Sequence, residues 1–212
     1  MELYNYFRSS ASWRVRIAMA LKGLDYDYLP IHLVKKEQST PEFLAASGTG
    51  LVPLLVTDDG DRLHQSLAII EYLDETCPEP PLLPPDALGR ARVRALAQDI
   101  ACEIAPIANL RVLQYLTGPL GASEEAKGTW IRHWIESGLE AVERHLAAQP
   151  GTFCHGDTPG LADCALVPQV FNAQRFKCRL DHVPNVVRVH AACMALEAFS
   201  STQPSACPDA ES

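Results

Sequence analysis

The sequence predicts a small α/β domain followed by a larger all-helical one. Three observations predict it: strand and helix signals alternate over the first eighty residues, a proline-dense stretch follows, and the periodicities beyond it are helical. Residues 3–7 are few and aromatic-rich, which reads as a strand. Residues 12–22 then carry Val15, Ile17, Ala18 and Leu21 as a helical stripe that Gly23 closes. A second strand is expected over residues 26–33, then a polar loop and a short helix starting near Pro41, where proline suits the first turn.

Leu51-Val52-Pro53-Leu54-Leu55-Val56 is a β-rich run interrupted by a proline, which points to an edge, a bulge or a cis bond. Asp58-Asp59-Gly60-Asp61 reads as a hairpin turn. It does not read as a calcium loop, because no acidic residue falls at the twelfth position counted from Asp58, Asp59 or Asp61. Residues 62–65 return as a strand, and Ser66 is expected to cap a helix with Ile69, Ile70 and Leu73 on its apolar face.

Pro78-Glu79-Pro80-Pro81-Leu82-Leu83-Pro84-Pro85 is stiff and extended, so residues 78–88 read as a linker between domains over residues 1–77 and 89–200. Helices are expected over 90–115, 124–148, 161–176 and 186–196. Asp163 after Gly160-Leu161-Ala162 resembles a capping box at the start of the third of these, with a role in folding. Residues 201–212 are small, polar and proline-containing, which predicts a frayed tail.

With 212 residues, 47% hydrophobic and 21% charged, the chain has the composition of a soluble globular protein with a sizeable core. Its seven cysteines form an odd set without a CxxC pair, which suits reduced thiols in the cytoplasm. MELYNYFRSS has no basic segment leading into an apolar run, and no stretch reaches the length of a membrane span. A net charge of −8 argues against nucleic acid as a partner, whereas an anionic small molecule needs only a local arginine cluster. The seven histidines show no HExxH pattern and Cys154-His155 alone is a poor metal site, so no metal is expected.

Three blocks carry a resemblance. Tyr6-Phe7-Arg8-Ser9-Ser10-Ala11-Ser12-Trp13-Arg14-Val15-Arg16-Ile17-Ala18 resembles the signature of the zeta-class glutathione transferases and maleylacetoacetate isomerases, commonly written with Ser-Ser-Cys-Ser. Gln65-Ser66-Leu67-Ala68-Ile69-Ile70-Glu71-Tyr72-Leu73 and Leu166-Val167-Pro168-Gln169-Val170-Phe171-Asn172-Ala173-Gln174-Arg175-Phe176 are typical of the same class, and together the blocks span roughly residues 1–200. The resemblance implies the glutathione transferase fold, a thioredoxin-like N-terminal domain with an all-α partner. It implies a homodimer with glutathione as cofactor. The implied reaction is cis–trans isomerisation of a maleyl keto acid, an anionic dicarboxylate met in the breakdown of tyrosine and other aromatic acids. Maleylacetoacetate is the first substrate implied and maleylpyruvate the second.

A thiol reacts as its thiolate, and a free one has a pKa of about 8.5, so the protein must stabilise the anion. A hydroxyl at a helix N-terminus does so through its hydrogen bond and the helix dipole. From spacing alone Ser9, Ser10 and Ser12 read as helix caps. The resemblance makes Ser9 the thiolate contact with Ser10 beside it, and Ala11, where the motif carries cysteine, removes any protein thiol from that place. The resemblance also implies that Val52, before Pro53, pairs its backbone with the cysteinyl part of glutathione. Gln65 and Ser66 would take the γ-glutamyl carboxylate and Gln38 the glycyl end. Ser47-Gly48-Thr49-Gly50 departs from the Asn-Pro loop usual there.

Arg8, Arg111 and Arg175 are the candidates for a dicarboxylate, because guanidinium matches carboxylate bidentately and stays charged. Ala108, Arg111 and Tyr115 are expected on one helix face, with Leu110, Leu113 and Leu116 as core. Ala105 and Ala108 stand where related isomerases carry histidine and asparagine. Two rival readings remain: a transferase that conjugates or dehalogenates small electrophiles, and a transferase-fold interaction module without activity.

Overall fold

Glu2–Asn5 alternate outward and inward side chains and form β1, which ends before Tyr6 and Phe7 because both of those rings turn into the core. The structure, a computed structural model, describes residues 1–148 and 151–211. It falls into two units: Met1–Leu82 together with the described residues from Ala195 onward, and Leu83–Met194.

The first unit is built on a four-stranded sheet in the order β2-β1-β3-β4. β2 (Asp27–Pro30) runs parallel to β1, so the chain between them must cross over, and α1 (Ser10–Leu21) is that crossover. β3 (Leu54–Val56) lies antiparallel to β1 and is joined by a hairpin to β4 (Arg62–His64). The ladder begins only after Pro53, which has no N–H to give, and the Val52–Pro53 bond is cis. α2 (Pro41–Ser47) leads into β3, and α3 (Ser66–Thr76) packs against α1.

Ser66 is not the cap of α3 but its first residue. The capping position belongs to Gln65, whose φ of 71° is left-handed for a residue with a side chain. Lys22, just past α1, has a fully buried side chain whose ammonium group meets Asp74 Oδ1 at 2.8 Å, Cys77 O at 2.7 Å and Pro80 O at 2.9 Å. Asp74 Oδ1 in turn accepts from Leu82 N at 2.8 Å, so a single ion pair fastens α1, α3 and the proline-rich segment.

The expected frayed tail is corrected. Residues 195–211 return to the first unit, where α9 (Glu197–Ser200) packs on α1. Thr202 Oγ1 accepts from Trp13 Nε1 at 3.1 Å, and Glu211 Oε1 lies 2.7 Å from His32 Nε2. Composition misled here because the segment is held by polar partners for buried donors rather than by apolar area. Ser212 lies outside the described residues.

In the second unit the expected helix over 90–115 is broken. α4 (Ala87–Gln98) runs into a π-helical turn (Asp99–Ile104) and a 3-10 turn (Ala105–Ala108), and α5 (Leu110–Thr117) restarts after Asn109, whose side chain accepts from Val112 N at 3.1 Å. Pro106 removes a helical donor, and the Asn109 cap begins a new helix. α6 (Glu124–Ala147), α7 (Leu161–Arg175) and α8 (Pro184–Met194) complete the unit, with α7 buried along most of its length. Buried Asp163 accepts from Gly160 N and Cys154 N, each at 2.9 Å, and burial raises its pKa. None of the described cysteines forms a disulfide, and no helix among the described residues is long and apolar enough to cross a membrane. Among the described residues no group of His, Cys, Asp or Glu is placed to hold a metal.

Candidate active site

The site begins where β1 gives way to α1. Ser9 is the N-cap: its N–H donates to Tyr6 O at 2.9 Å and its Oγ accepts from Ser12 N at 3.2 Å. That bond uses an acceptor lone pair and leaves the Ser9 O–H to donate at the N-terminal end of the helix. Ser10 is the first residue of α1 and is partly exposed. An anionic atom placed there meets a hydroxyl donor and the positive end of the helix dipole together.

Arg8 lies beside this cap. Its Nη2 donates to the Tyr6 hydroxyl at 2.8 Å and its guanidinium sits 4.9 Å from the centre of the Phe7 ring. No carboxylate oxygen lies within ion-pair distance of Arg8 among the described residues; Glu211 feels its charge from further away, while neutral and aromatic groups orient the guanidinium and leave it N–H donors for an anion.

The start of α3 is joined to the start of α1 by Arg14, which is buried and donates from Nη1 to Ser66 Oγ at 3.2 Å. Sequence reasoning missed Arg14, yet it brings Ser66 and the serines of α1 into one neighbourhood. Gln65 makes no capping bond and exposes its side chain, and its left-handed backbone represents roughly 1–3 kcal/mol of strain of the kind found at ligand sites. Val52 packs against Tyr6 and Phe7 from the β3 side, next to Pro53.

Gln38 stands in the short turn Glu37–Ser39, and its Oε1 is buried without a protein partner among the described residues. A buried amide oxygen left unpaired is costly and suits a polar ligand. The Ser47–Gly50 loop holds its shape without an Asn-Pro pair: Ser47 Oγ donates to Phe43 O at 2.8 Å and accepts from Gly50 N at 2.9 Å. Gly48 and Gly50 both have φ near +65°, at 66° and 64°, and a Cβ on Gly50 would lie 3.1 Å from Gln38 O. The loop therefore packs directly against the Gln38 backbone.

The remaining candidates belong to the second unit. Arg111, on α5, lines a groove of about 450 Å³ with Val112, Tyr115, Leu116 and Trp130. Ala108 is not on that face, because it ends the 3-10 turn before Asn109. The expectation of Leu110, Leu113 and Leu116 as core is corrected too, since no residue of α5 is buried and Leu116 lines the groove. α5 is amphipathic enough to mimic a core helix in sequence, but Trp130 bonds Ile107 O at 2.9 Å, before the helix starts. Arg175 ends α7, exposed, with its guanidinium 4.9 Å from the centre of the Phe176 ring.

The residues present fit a small peptide-like ligand bearing a thiolate and carboxylates: two hydroxyls at helix starts, a buried amide oxygen without a protein partner among the described residues, and a guanidinium with no close ion pair. Comparison with known proteins agrees. Residues 8–76 match the family model described as glutathione S-transferase, N-terminal domain, and residues 131–182 match glutathione S-transferase, C-terminal domain. The chain is 49% identical over 211 residues to a maleylpyruvate isomerase from Ralstonia, with 99% of each covered. It is similar to the holo structure of a bacterial zeta-class maleyl pyruvate isomerase, at 48% identity and a TM-score of 0.97 over the full length of both chains. It is also similar to a maleylacetoacetate isomerase from Anaeromyxobacter dehalogenans with dicarboxyethyl glutathione and citrate in its active site. There the identity is 44% and the TM-score 0.89, over 100% of this chain and 97% of that one.

Proposed function

The chain belongs to the glutathione S-transferase family, and from that premise we propose that it is a glutathione-dependent cis–trans isomerase of a maleyl keto acid. The observation that carries the reading is the adjacency of a guanidinium without a close ion pair, Arg8, to a capping hydroxyl, Ser9, at the start of one helix. Glutathione, when bound, supplies a thiolate that adds to the cis double bond and later leaves, so the bond rotates while it is single. Ser9 donates its O–H to the sulfur and holds it ionised, with Ser10 beside it at the same helix end. Arg8 binds a substrate carboxylate and draws off negative charge that develops toward the conjugated carbonyl.

Val52 and Pro53 present backbone to the cysteinyl part of the cofactor, Gln65 and Ser66 take its γ-glutamyl carboxylate, and Gln38 takes its glycyl end. The groove of Arg111 and the end of α7 at Arg175 offer the second unit's own carboxylate-binding surfaces. Maleylacetoacetate is the first substrate to test and maleylpyruvate the second. A cytoplasmic homodimer serving the degradation of tyrosine or other aromatic acids accords with the family and with the dicarboxylate chemistry of its solved relatives.

The test is an absorbance assay with each maleyl substrate, with and without glutathione. The expected result is loss of the cis-enone signal only when glutathione is present, with no net loss of thiol. Stoichiometric thiol consumption would instead mark a conjugating transferase, and no glutathione binding by calorimetry at millimolar concentration would mark an inactive module.

Gly50→Ala tests the cofactor side. A Cβ at φ 64° is strained, and the Gln38 carbonyl beside it is backbone that must give way. Glutathione affinity is expected to fall roughly fivefold, equivalent to about 1 kcal/mol of misplaced contact, as read by calorimetry. Unchanged affinity would remove Gln38 and its loop from the cofactor site.

A further inference from the structure

We propose that Asp209 is a positioning residue that sets Arg8 through the Phe7 peptide, a role that rests on the reading of Arg8 as a substrate-carboxylate group. β1 ends at Asn5, so the peptide groups of Tyr6 and Phe7 leave the sheet without ladder partners. At Phe7, charged side chains take them instead. Phe7 N–H donates to Asp209 Oδ2 at 3.2 Å, and Phe7 C=O accepts from Arg16 Nη2 at 3.0 Å. One residue is thus held on its two sides by charges of opposite sign, and hydrogen bonds to charged groups are stronger than neutral ones.

Both holders are themselves fixed. Arg16, only 1% exposed, also donates to Asn5 Oδ1 at 3.0 Å and to Thr202 O at 3.1 Å. The other oxygen of Asp209 accepts from the Tyr28 hydroxyl, which burial keeps protonated. Cys207, two residues before Asp209, packs in one cluster with Tyr6 and Phe7. Residues 202–209 therefore bind the loop from behind at one peptide N–H and two rings, and hold a second peptide group through Arg16.

Arg8 is the next residue along, and its short-range contacts are with the side chains so fixed, the Tyr6 hydroxyl and ring and the Phe7 ring, while the Glu211 carboxylate acts on it only electrostatically. An arginine side chain loses substantial rotamer entropy on binding, and a pre-ordered one loses less. Asp209 has no contact of its own with Arg8, so its influence passes through Phe7.

The experiment compares the full-length protein with Asp209→Asn, Arg8→Met and the double variant, measuring both KM values, kcat and the NMR order parameter of the Arg8 Nε–H. Asp209→Asn is expected to raise KM for the maleyl substrate by about tenfold, the effect of one charge-assisted hydrogen bond, and to change KM for glutathione by less than about twofold. It is expected to lower the Arg8 order parameter and, in the Arg8→Met background, to add less than about twofold. An unchanged order parameter overturns the proposal, as does the same tenfold factor in both backgrounds or an equal rise in both KM values. The order parameter is independent of turnover: an inactive wild-type protein sinks the isomerase reading alone. Should Asp209→Asn fail to fold, Tyr28→Phe removes the other hold on the carboxylate and is expected to lower the same order parameter.

Discussion

Replacing Ser9 by glycine is expected to lower kcat/KM roughly a hundredfold, the usual effect of losing one donor to a reacting anion, while the melting midpoint shifts by only about a degree or two. Glycine is the informative substitution because it remains an acceptable N-cap and costs only a few tenths of a kcal/mol there, whereas alanine costs about 1 kcal/mol and confuses stability with catalysis. Ser9 sits at φ −72° and ψ 116°, an ordinary extended conformation, so glycine relieves no strain. The hydroxyl donor favours the ionised thiol, so removing it raises the thiol pKa toward the free value of about 8.5. The variant should consequently recover part of its rate as pH rises from 7 to 9. A pH–rate profile that superimposes on the wild type's would remove Ser9 from the role and leave it a cap only.

Lys22→Met is expected to cost about 3–5 kcal/mol, because it strands the carboxylate of Asp74 where that group is largely buried. For a chain of this length that is a fall of about 10 °C in melting midpoint. An exposed ion pair contributes no more than about 1 kcal/mol, so the size of the effect discriminates. Two arms of the experiment are needed: Lys22→Met alone, and Lys22→Met with Asp74→Asn. The second removes the stranded charge and keeps an acceptor for Leu82 N, and part of the loss should return. A loss under about 1 kcal/mol for the single variant would show that water reaches the pair.

The order of strands and helices was readable because local signals agreed: a short aromatic-rich run at β1, proline at the start of α2, Asp-Gly in the hairpin, prolines after α3. Where the reading failed, the missing information was tertiary. The stretch of residues 90–115 has a continuous helical periodicity, and only Pro106 and the Asn109 cap reveal the break. Ser66 is indistinguishable in sequence from an N-cap, since the left-handed turn at Gln65 has no local signature. Arg8 and Ser9 were visible through their neighbours in the motif.

Arg14 and Arg16 were in the same motif and went unread, although α1 offered a clue. With Trp13, Val15, Ile17, Ala18 and Met19 all buried, that helix has no polar face on which two arginines can stay solvated. Asp209 gave no signal at all, being one acid in a polar, proline-containing stretch 202 residues from its partner Phe7.

The return of residues 195–211 to the first unit also orders events during synthesis. A ribosome releases β1, α1 and the Arg8–Ser10 loop early, but the carboxylate that takes the Phe7 amide emerges only after the whole second unit has been translated. A nascent chain halted anywhere within that second unit carries every serine and arginine of the motif, yet it lacks the Thr202 carbonyl that holds Arg16 and the Asp209 carboxylate that holds the Phe7 amide. The Arg8–Ser10 segment is among the first made and among the last to be finished.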